Sequence, residues 1–227
     1  MVVFNKMPSE FVFKREGIYT FLNPYSYLHA RKNIELYRQF DGVYADGQWL
    51  VYFLRLFNIK KTSRYSFDYS SIADEVFRKV CSLGMKVAVI GSTQAVNDSF
   101  CDFLSNRYPG IKVEFSRNGY FSDSELEDVL EGVKSKSIDF VLVGMGAPNQ
   151  EAFLTQLKRS GWNGLGFTCG GFMHQTASKG SEYYPRWVDK YNLRFLYRIY
   201  DEPKLLKRYL IEYPKFAVLF FLDWLTN

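Results

Sequence analysis

The sequence predicts an α/β fold: a mostly parallel sheet with helices on both faces, followed by a C-terminal helical appendage. Three observations carry this. Short apolar runs recur from Lys86 to Thr168, and each is followed by apolar residues at helical spacing. The runs are continuous rather than alternating with polar residues, as strands covered on both faces require. Beyond Pro185 the rhythm stops and a basic, aromatic-rich segment takes over. The expected division is 1–185 for the α/β domain and 186–227 for the appendage.

In chain order, Gly17–Leu22 reads as a strand, Tyr25–Phe40 as one helix, and Val43–Ala45 as a short strand ending at Asp46-Gly47. Lys86–Ile90 is a buried strand closed by Gly91, and Val96, Phe100, Phe103 and Leu104 share one face of the helix after it. Ile111–Phe115 is a strand. Ser122 and Glu125 then have capping-box spacing at the head of a helix that buries Leu126, Val129, Leu130 and Val133. Ile138–Val143 is a strand that runs into the turn VGMGAPNQE and a helix through Phe153, Leu154 and Leu157. Leu165–Thr168 is the last strand, ending at Cys169-Gly170-Gly171. The repeated β-α unit makes the expected sheet Rossmann-like.

Composition bounds the function. A chain of 227 residues with 47% hydrophobic content supports a full domain with a sizeable core. Of the net charge of +5, the window Arg186–Lys215 supplies +4, from eight basic residues (Arg186, Lys190, Arg194, Arg198, Lys204, Lys207, Arg208, Lys215) against four acidic ones (Asp189, Asp201, Glu202, Glu212). That end expects an anionic partner: phosphate, nucleic acid or an anionic membrane surface. Cys81, Cys101 and Cys169 show no metal-ligand or redox spacing, which fits reduced cytosolic thiols. The start of the chain lacks a signal-peptide layout, and the longest apolar run, Phe216–Leu222, is far short of the roughly 20 residues that span a bilayer. The expected location is cytoplasmic, with peripheral attachment to a membrane.

Ligands of such sheets sit at the carboxyl ends of the strands. The residues there are Asn23, Asp46, Gly91, Gly144–Glu151 and Gly170-Gly171. Turns also use Gly, Asn and Asp for backbone reasons alone, so their collection says more than any one member. A dinucleotide fingerprint is excluded on two counts. Asn149 stands where the third glycine belongs, and no Asp or Glu falls between Glu151 and Glu182 to hold a ribose. Catalytic dyads are scarce. His29 is placed mid-helix, and His174, five residues after Cys169, makes a poor nucleophile pair. No Asp-x-Asp metal signature occurs, and Asp123-Ser124-Glu125 is better explained by capping. Asp46, among Tyr44, Ala45, Trp49 and Leu50, is the best general-base candidate, because apolar surroundings raise a carboxylate's proton affinity. An ordinary Asp-Gly turn is the competing reading.

Several segments together resemble the WecG/TagA/CpsF family of bacterial glycosyltransferases (glycosyltransferase family 26). The resemblance rests on Gly144-Met145-Gly146-Ala147-Pro148-Asn149-Gln150-Glu151, supported by Asn23-Pro24, Ala45-Asp46-Gly47, Arg64 with Asp68, Gly119-Tyr120-Phe121, Gly170-Gly171-Phe172 and Leu193–Arg198 followed by Glu202-Pro203. It implies an inverting, metal-independent transferase that needs no cofactor. Such an enzyme moves a sugar from a UDP-sugar to a polyprenyl-diphosphate-linked saccharide in cell-surface polysaccharide synthesis. In that picture Asp46 is the base on the acceptor hydroxyl. Asn23, Tyr120, Gln150 and Glu151 belong to the substrate pocket with the glycines Gly91, Gly144, Gly146, Gly170 and Gly171. Arg64, Arg194, Arg198 and Arg208 face phosphate charge.

Three departures from the teichoic-acid branch stand at positions that can touch a sugar. Phe21 replaces its threonine, with Thr20 one residue earlier; Phe172-Met173-His174 follows the paired glycines; and Tyr183-Tyr184-Pro185 replaces Arg-Ala-Pro. The N-acetylmannosamine donor of that branch is therefore not assigned. The expected partners are a UDP-sugar, the lipid-linked acceptor and an anionic membrane surface, with a homo-oligomer left open and nucleic acid set aside. The appendage, with Lys204, Lys207, Arg208 and Lys215 among apolar residues, is expected to be a membrane-facing lid interrupted at Pro214; a core-docked helix or a dimer interface is the competing reading. Two other functions remain. A non-catalytic nucleotide-binding module of the same pathway would have no use for a base at Asp46, and a methyltransferase would not require the basic, aromatic end.

Overall fold

The computed structural model describes residue 4, residues 6–181, 183–185, 188 and 193–226, and of Lys204 the backbone alone. Glu182, Arg186, Asp189 and Lys190 lie outside the described residues. Six parallel strands form one sheet in the order β2-β1-β6-β5-β3-β4. The strands are β1 (Gly17–Leu22), β2 (Gly42–Ala45), β3 (Lys86–Gly91), β4 (Lys112–Arg117), β5 (Phe140–Gly144) and β6 (Leu165–Thr168). All carboxyl ends therefore emerge along one edge, as the sequence leads one to expect.

Alternate strand residues point to opposite faces, and each face has its own core. Ile18, Leu22, Ala88, Ile90, Val141 and Val143 pack under α1 (Pro24–Lys32), α3 (Gln48–Leu56), α6 (Asp123–Ser135) and α7 (Asn149–Arg159). Tyr19, Phe21, Val87, Val89, Phe140 and Leu142 pack under α4 (Ala73–Ser82), α5 (Gln94–Arg107) and α8 (Phe172–Lys179). β2 and β4 are the edge strands, and β4 has Lys112, Glu114 and Ser116 exposed, a charged and polar rim that discourages further strand pairing.

Three local differences from the expected elements have physical causes. The helix expected over 25–40 is two, α1 and α2 (Ile34–Arg38), because Asn33 leaves helical geometry and its amide donates to the His29 carbonyl at 2.9 Å. α3 and α4 were not expected. α3 follows β2 through Gly47 with no side-chain cap, so its apolar run carries no start signal. α4 buries Ala73, Val76, Phe77 and Val80 at helical spacing, with Asp74 and Glu75 in its first turn. The expected capping box is formed: the Glu125 carboxylate accepts from the Ser122 N–H at 2.8 Å.

The C-terminal segment comprises α9 (Arg194–Asp201), a 3₁₀ turn at Pro203–Leu205, a π-helical turn at Arg208–Glu212 and α10 (Tyr213–Leu225). Pro214 occupies the first turn of α10, where its missing N–H costs nothing, and the π-helical turn runs directly into that helix. One face of α10 is embedded. Phe216 and Phe220 are fully buried against Phe4, Tyr27, Phe53 and Phe57, and Asp223 accepts from Tyr27 Oη at 2.7 Å and pairs with Arg31 at 2.9 Å. Among the described residues no helix is long and apolar enough to cross a membrane. The three cysteines are free thiols.

Candidate functional site

The carboxyl ends of the strands and the C-terminal segment enclose a cleft of about 880 Å³, within the range of small-molecule sites. Its near wall is set by the turn after β2. The Asp46 N–H donates to the Leu22 carbonyl at 2.7 Å, so the β1–β2 ladder carries Asp46 to the cleft before the chain turns. Gly47 makes that turn at φ +99, a conformation costly for a side chain. Asn23, across the turn, caps α1: its Oδ1 accepts from the N–H groups of Tyr25 and Ser26, both at 3.0 Å.

A charged network runs from Asp46 to the appendage. Arg64 Nη2 lies 3.1 Å from Asp46 Oδ1, 2.6 Å from Ser66 Oγ and 3.0 Å from Asp68 Oδ2. The same Asp68 oxygen accepts from Ser66 Oγ at 2.6 Å and pairs with Arg194 Nη1 at 3.3 Å. The two carboxylates are driven apart. Burial raises the Asp46 pKa, and the charge of Asp68 adds to this against the pull of Arg64 and Arg194. Burial also works to raise Asp68, but there Arg64, Arg194, Ser66 and Ser70 outweigh it and hold the group below the ordinary carboxylate value. One acid is thus poised to accept a proton, and the other stays charged and holds two arginines.

The floor is glycine because backbone and sulfur atoms crowd it. A Cβ on Gly91, at φ +146, would lie 2.4 Å from the Gly144 carbonyl oxygen. One on Gly144 would lie 3.0 Å from Met173 Sδ and 3.1 Å from Cys169 Sγ. Beneath this floor, Glu151 Oε1 accepts from Thr20 Oγ1 at 2.8 Å and from Gln150 Nε2 at 3.0 Å, while Gln150 Oε1 accepts from the Gly170 N–H at 3.1 Å. Thr20 and Thr168 share a further 2.8 Å hydrogen bond. This cluster ties β1, β6, α7 and the Gly170 turn into one floor.

The roof comes from the C-terminal segment. The Arg194 guanidinium stacks 4.7 Å above the Tyr184 ring, Arg208 sits 4.0 Å above the Tyr25 ring, and Arg198 pairs with Glu202 at 2.8 Å. Arg194, Arg198 and Arg208 all line the cleft together with Asp46 and Arg64.

Of the residues singled out from sequence, Asn23, Asp46, Arg64, Tyr120, Gly144, Gly146, Gln150, Gly170, Gly171, Arg194, Arg198 and Arg208 line this cleft. Gly91 and Glu151 do not. Gly91 lies under the floor, where its missing side chain lets β3 and β5 close up. Glu151 is fully buried beneath the floor, bonded to Thr20 and Gln150, while its neighbour Gln150, also buried, borders the cleft. A strand-end acid gives no sequence signal that distinguishes the two sides. Thr20 likewise points down to Glu151, and Phe21 faces the cleft, stacked on Tyr44 at 5.5 Å. Thr20 therefore does not take over the position Phe21 occupies.

Residues on the wall that the sequence reading did not name include Tyr25, Ser66, Tyr52 and Gln175, and it named Asp68 and Trp49 without placing them in the pocket. The spacing of Arg64, Ser66 and Asp68 was the available signal for two of them. His174 is exposed on α8 and lines the cleft, but burial pushes the neighbouring Cys169 thiol well up, which opposes a thiolate nucleophile. His29 is half-buried, 4.8 Å from the Tyr25 ring, and burial lowers its pKa.

The model of the glycosyl transferase WecG/TagA/CpsF family matches residues 4–227. The chain is 40% identical over 205 residues to a Shigella boydii UDP-Gal:alpha-D-GlcNAc-diphosphoundecaprenol beta-1,4-galactosyltransferase, covering 90% of this chain and 85% of that one. It is 26% identical over 180 residues to an N-acetylglucosaminyldiphosphoundecaprenol N-acetyl-beta-D-mannosaminyltransferase of Bacillus subtilis, covering 78% and 66% of the two chains. A Staphylococcus aureus protein of the same description is 27% identical over 175 residues, covering 77% and 67%.

Proposed function

Because the chain belongs to the WecG/TagA/CpsF glycosyl transferase family, we propose that it moves a hexose from a UDP-sugar onto a saccharide held on a polyprenyl diphosphate, with inversion at the anomeric carbon. The observation that carries this is Asp46, raised in pKa, beside Arg64 in a strand-end cleft roofed by Arg194, Arg198 and Arg208. Asp46 takes the proton of the acceptor hydroxyl as its oxygen bonds to the anomeric carbon. The sugar–phosphate bond breaks on the opposite face, and its electron pair leaves with UDP. Only one base is needed for this single displacement. The four arginines supply fixed positive charge where the diphosphate develops negative charge, the role a metal ion plays in other transferases. A binding module would gain nothing from a half-buried acid held ready to accept a proton.

The 40% identity to a galactosyltransferase, against 26–27% to the N-acetylmannosaminyltransferases, supports UDP-galactose as donor and a GlcNAc-diphosphate lipid as acceptor. Phe21, Phe172-Met173-His174 and Tyr184 agree, since Phe21, Phe172, His174 and Tyr184 all line the cleft. The test is transfer of labelled galactose to the lipid-linked acceptor, beside melting shifts with UDP-galactose and UDP-N-acetylmannosamine. Product and a melting shift with UDP-galactose support the reading; transfer from neither donor removes it.

The attachment of this enzyme to a membrane rests on the outer face of the C-terminal segment. Leu210, Ile211, Val218, Phe221, Leu222, Trp224 and Leu225 are exposed there, with Lys207 and Lys215 on the same segment. Such a surface lies in the headgroup region with its cations on anionic lipid. Anionic vesicles should bind the protein at low salt and release it at high salt. A concentration-dependent dimer that ignores vesicles would assign the surface to a second copy instead.

A further inference from the structure

The outer face of α3 carries a stripe that neither the core nor the proposed chemistry uses. Trp49, Tyr52 and Leu56 fall at i, i+3 and i+7, so they stand in one row on the helix. They are 53%, 58% and 74% exposed, while Leu50, Val51 and Leu54 on the opposite face are buried. The three residues of the row carry no charge. Arg55, its one charged neighbour on the helix, is folded back onto the Thr62 carbonyl through Nε at 3.0 Å and Nη2 at 2.7 Å.

The two ends of the row decide what could occupy it. Trp49 and Tyr52 line the cleft, and α3 begins immediately after Asp46-Gly47, so the row starts at the proposed base. Leu56 lies outside the cleft, and from Trp49 the helix advances about 10 Å to reach it. Beside Leu56, the Phe57 ring packs 4.9 Å from Trp224 and 5.9 Å from Phe221, the exposed apolar residues of α10. An uncharged apolar track thus runs from the reacting centre to the surface proposed to meet the membrane. A sugar in the cleft would stack on the Trp49 and Tyr52 rings but would gain nothing from Leu56, which lies outside the cleft and offers its hydroxyls no partner. A partner protein would not require a track that opens into the cleft.

We infer that Trp49, Tyr52 and Leu56 form the path along which the first isoprene units of the lipid-linked acceptor leave the cleft, an inference that rests on the transferase reading above. The diphosphate sits among the arginines, and the hydrocarbon chain follows α3 to α10 and the bilayer. Acceptor recognition therefore includes chain length. An acceptor too short to pass Tyr52 is used less well than one that covers Leu56.

The test uses the full chain and two acceptors with the same GlcNAc-diphosphate head, one on a chain too short to pass Tyr52 and one on undecaprenol. Wild type should favour the long acceptor in KM with similar kcat. Leu56→Ser should raise KM for the long acceptor about tenfold, the order expected for uncovering one leucine, and leave the short acceptor unchanged. Leu56→Met should restore the long-chain preference, and Val218→Ser, a like loss of exposed apolar surface on α10, should not remove it. Equal KM for both acceptors in wild type overturns the inference while leaving the transferase reading intact. So does an equal effect of Leu56→Ser and Val218→Ser, which would make Leu56 part of general surface attachment, or a change in oligomeric state on Leu56→Ser, which would give the row to a second copy. Transfer to neither acceptor overturns the transferase reading itself and the inference with it.

Discussion

Phe220→Ala asks whether the roof of the cleft is part of the fold or a detachable flap. Phe220 is fully buried, and its ring centroid lies 5.3 Å from Phe4, 5.6 Å from Tyr27, 5.4 Å from Phe53, 5.8 Å from Phe57 and 5.3 Å from Phe216. Truncating a phenylalanine in such surroundings costs about 3–5 kcal/mol, from lost burial and the cavity left behind. These rings belong to the same core as Leu22, Val43 and Ala45 of the sheet, so the cost should appear in global unfolding. For a domain of this size each kcal/mol moves the midpoint by about 2–4 °C, which gives a single transition lowered by roughly 6–20 °C. Calorimetry measures this, with limited proteolysis of the variant at 25 °C beside it. A detachable flap would leave the melting temperature unchanged and open residues 193–213 to protease, and that pattern would refute the reasoning. By the same logic, removing residues 204–227 would uncover Tyr27, Phe53 and Phe57, so single substitutions test the roof more cleanly than deletion.

Glu151→Gln should stabilise the protein at neutral pH. Burial raises the Glu151 pKa, so its ionised form costs stability above the unfolded value of about 4.3, and the cost grows with pH up to the folded pKa. The variant should melt above wild type near about pH 8, with a gap that closes toward about pH 4; a gap that widens on acidification contradicts this. Asp68→Asn should move the acid limb of kcat/KM to lower pH, because the charge of Asp68 raises the Asp46 pKa and its removal lets Asp46 ionise earlier. A limb that stays in place or moves upward removes that coupling. Activity in excess chelator should equal activity in magnesium, given arginines as the diphosphate's counter-charge; loss on chelation with recovery on adding a divalent ion would show a metal requirement.

The sheet was legible because its central strands are continuous apolar runs and because each is followed by a helix with its own spacing. The first third was less legible. Asn33 breaks a helix by a hydrogen bond to its own preceding turn, and α3 starts at a glycine with no cap, so neither boundary is marked by composition. The base and floor of the cleft follow from one rule, that strand ends bind ligands, and from the strand assignments themselves. What that rule misses is the direction of a side chain within a helical turn, hence Glu151 sealed beneath the floor while its neighbour Gln150, also buried, borders the cleft. It also misses partners far apart in sequence. The Arg194–Asp68 pair joins residues 126 positions apart, and the Thr20–Glu151 bond spans 131. The resemblance supplied the arginines, and only the fold supplied Asp68 as the residue that holds two of them.

Asp46→Asn keeps the size and polarity of the side chain and removes its capacity to accept a proton. Turnover of labelled galactose onto the GlcNAc-diphosphate lipid, measured for wild type and variant at saturating UDP-galactose, tests the central claim most directly. Loss of a general base predicts a fall of about 10²–10⁴ in kcat, with the UDP-induced melting shift retained. A variant that turns over within a few-fold of wild type would contradict the account and take Asp46 out of the mechanism.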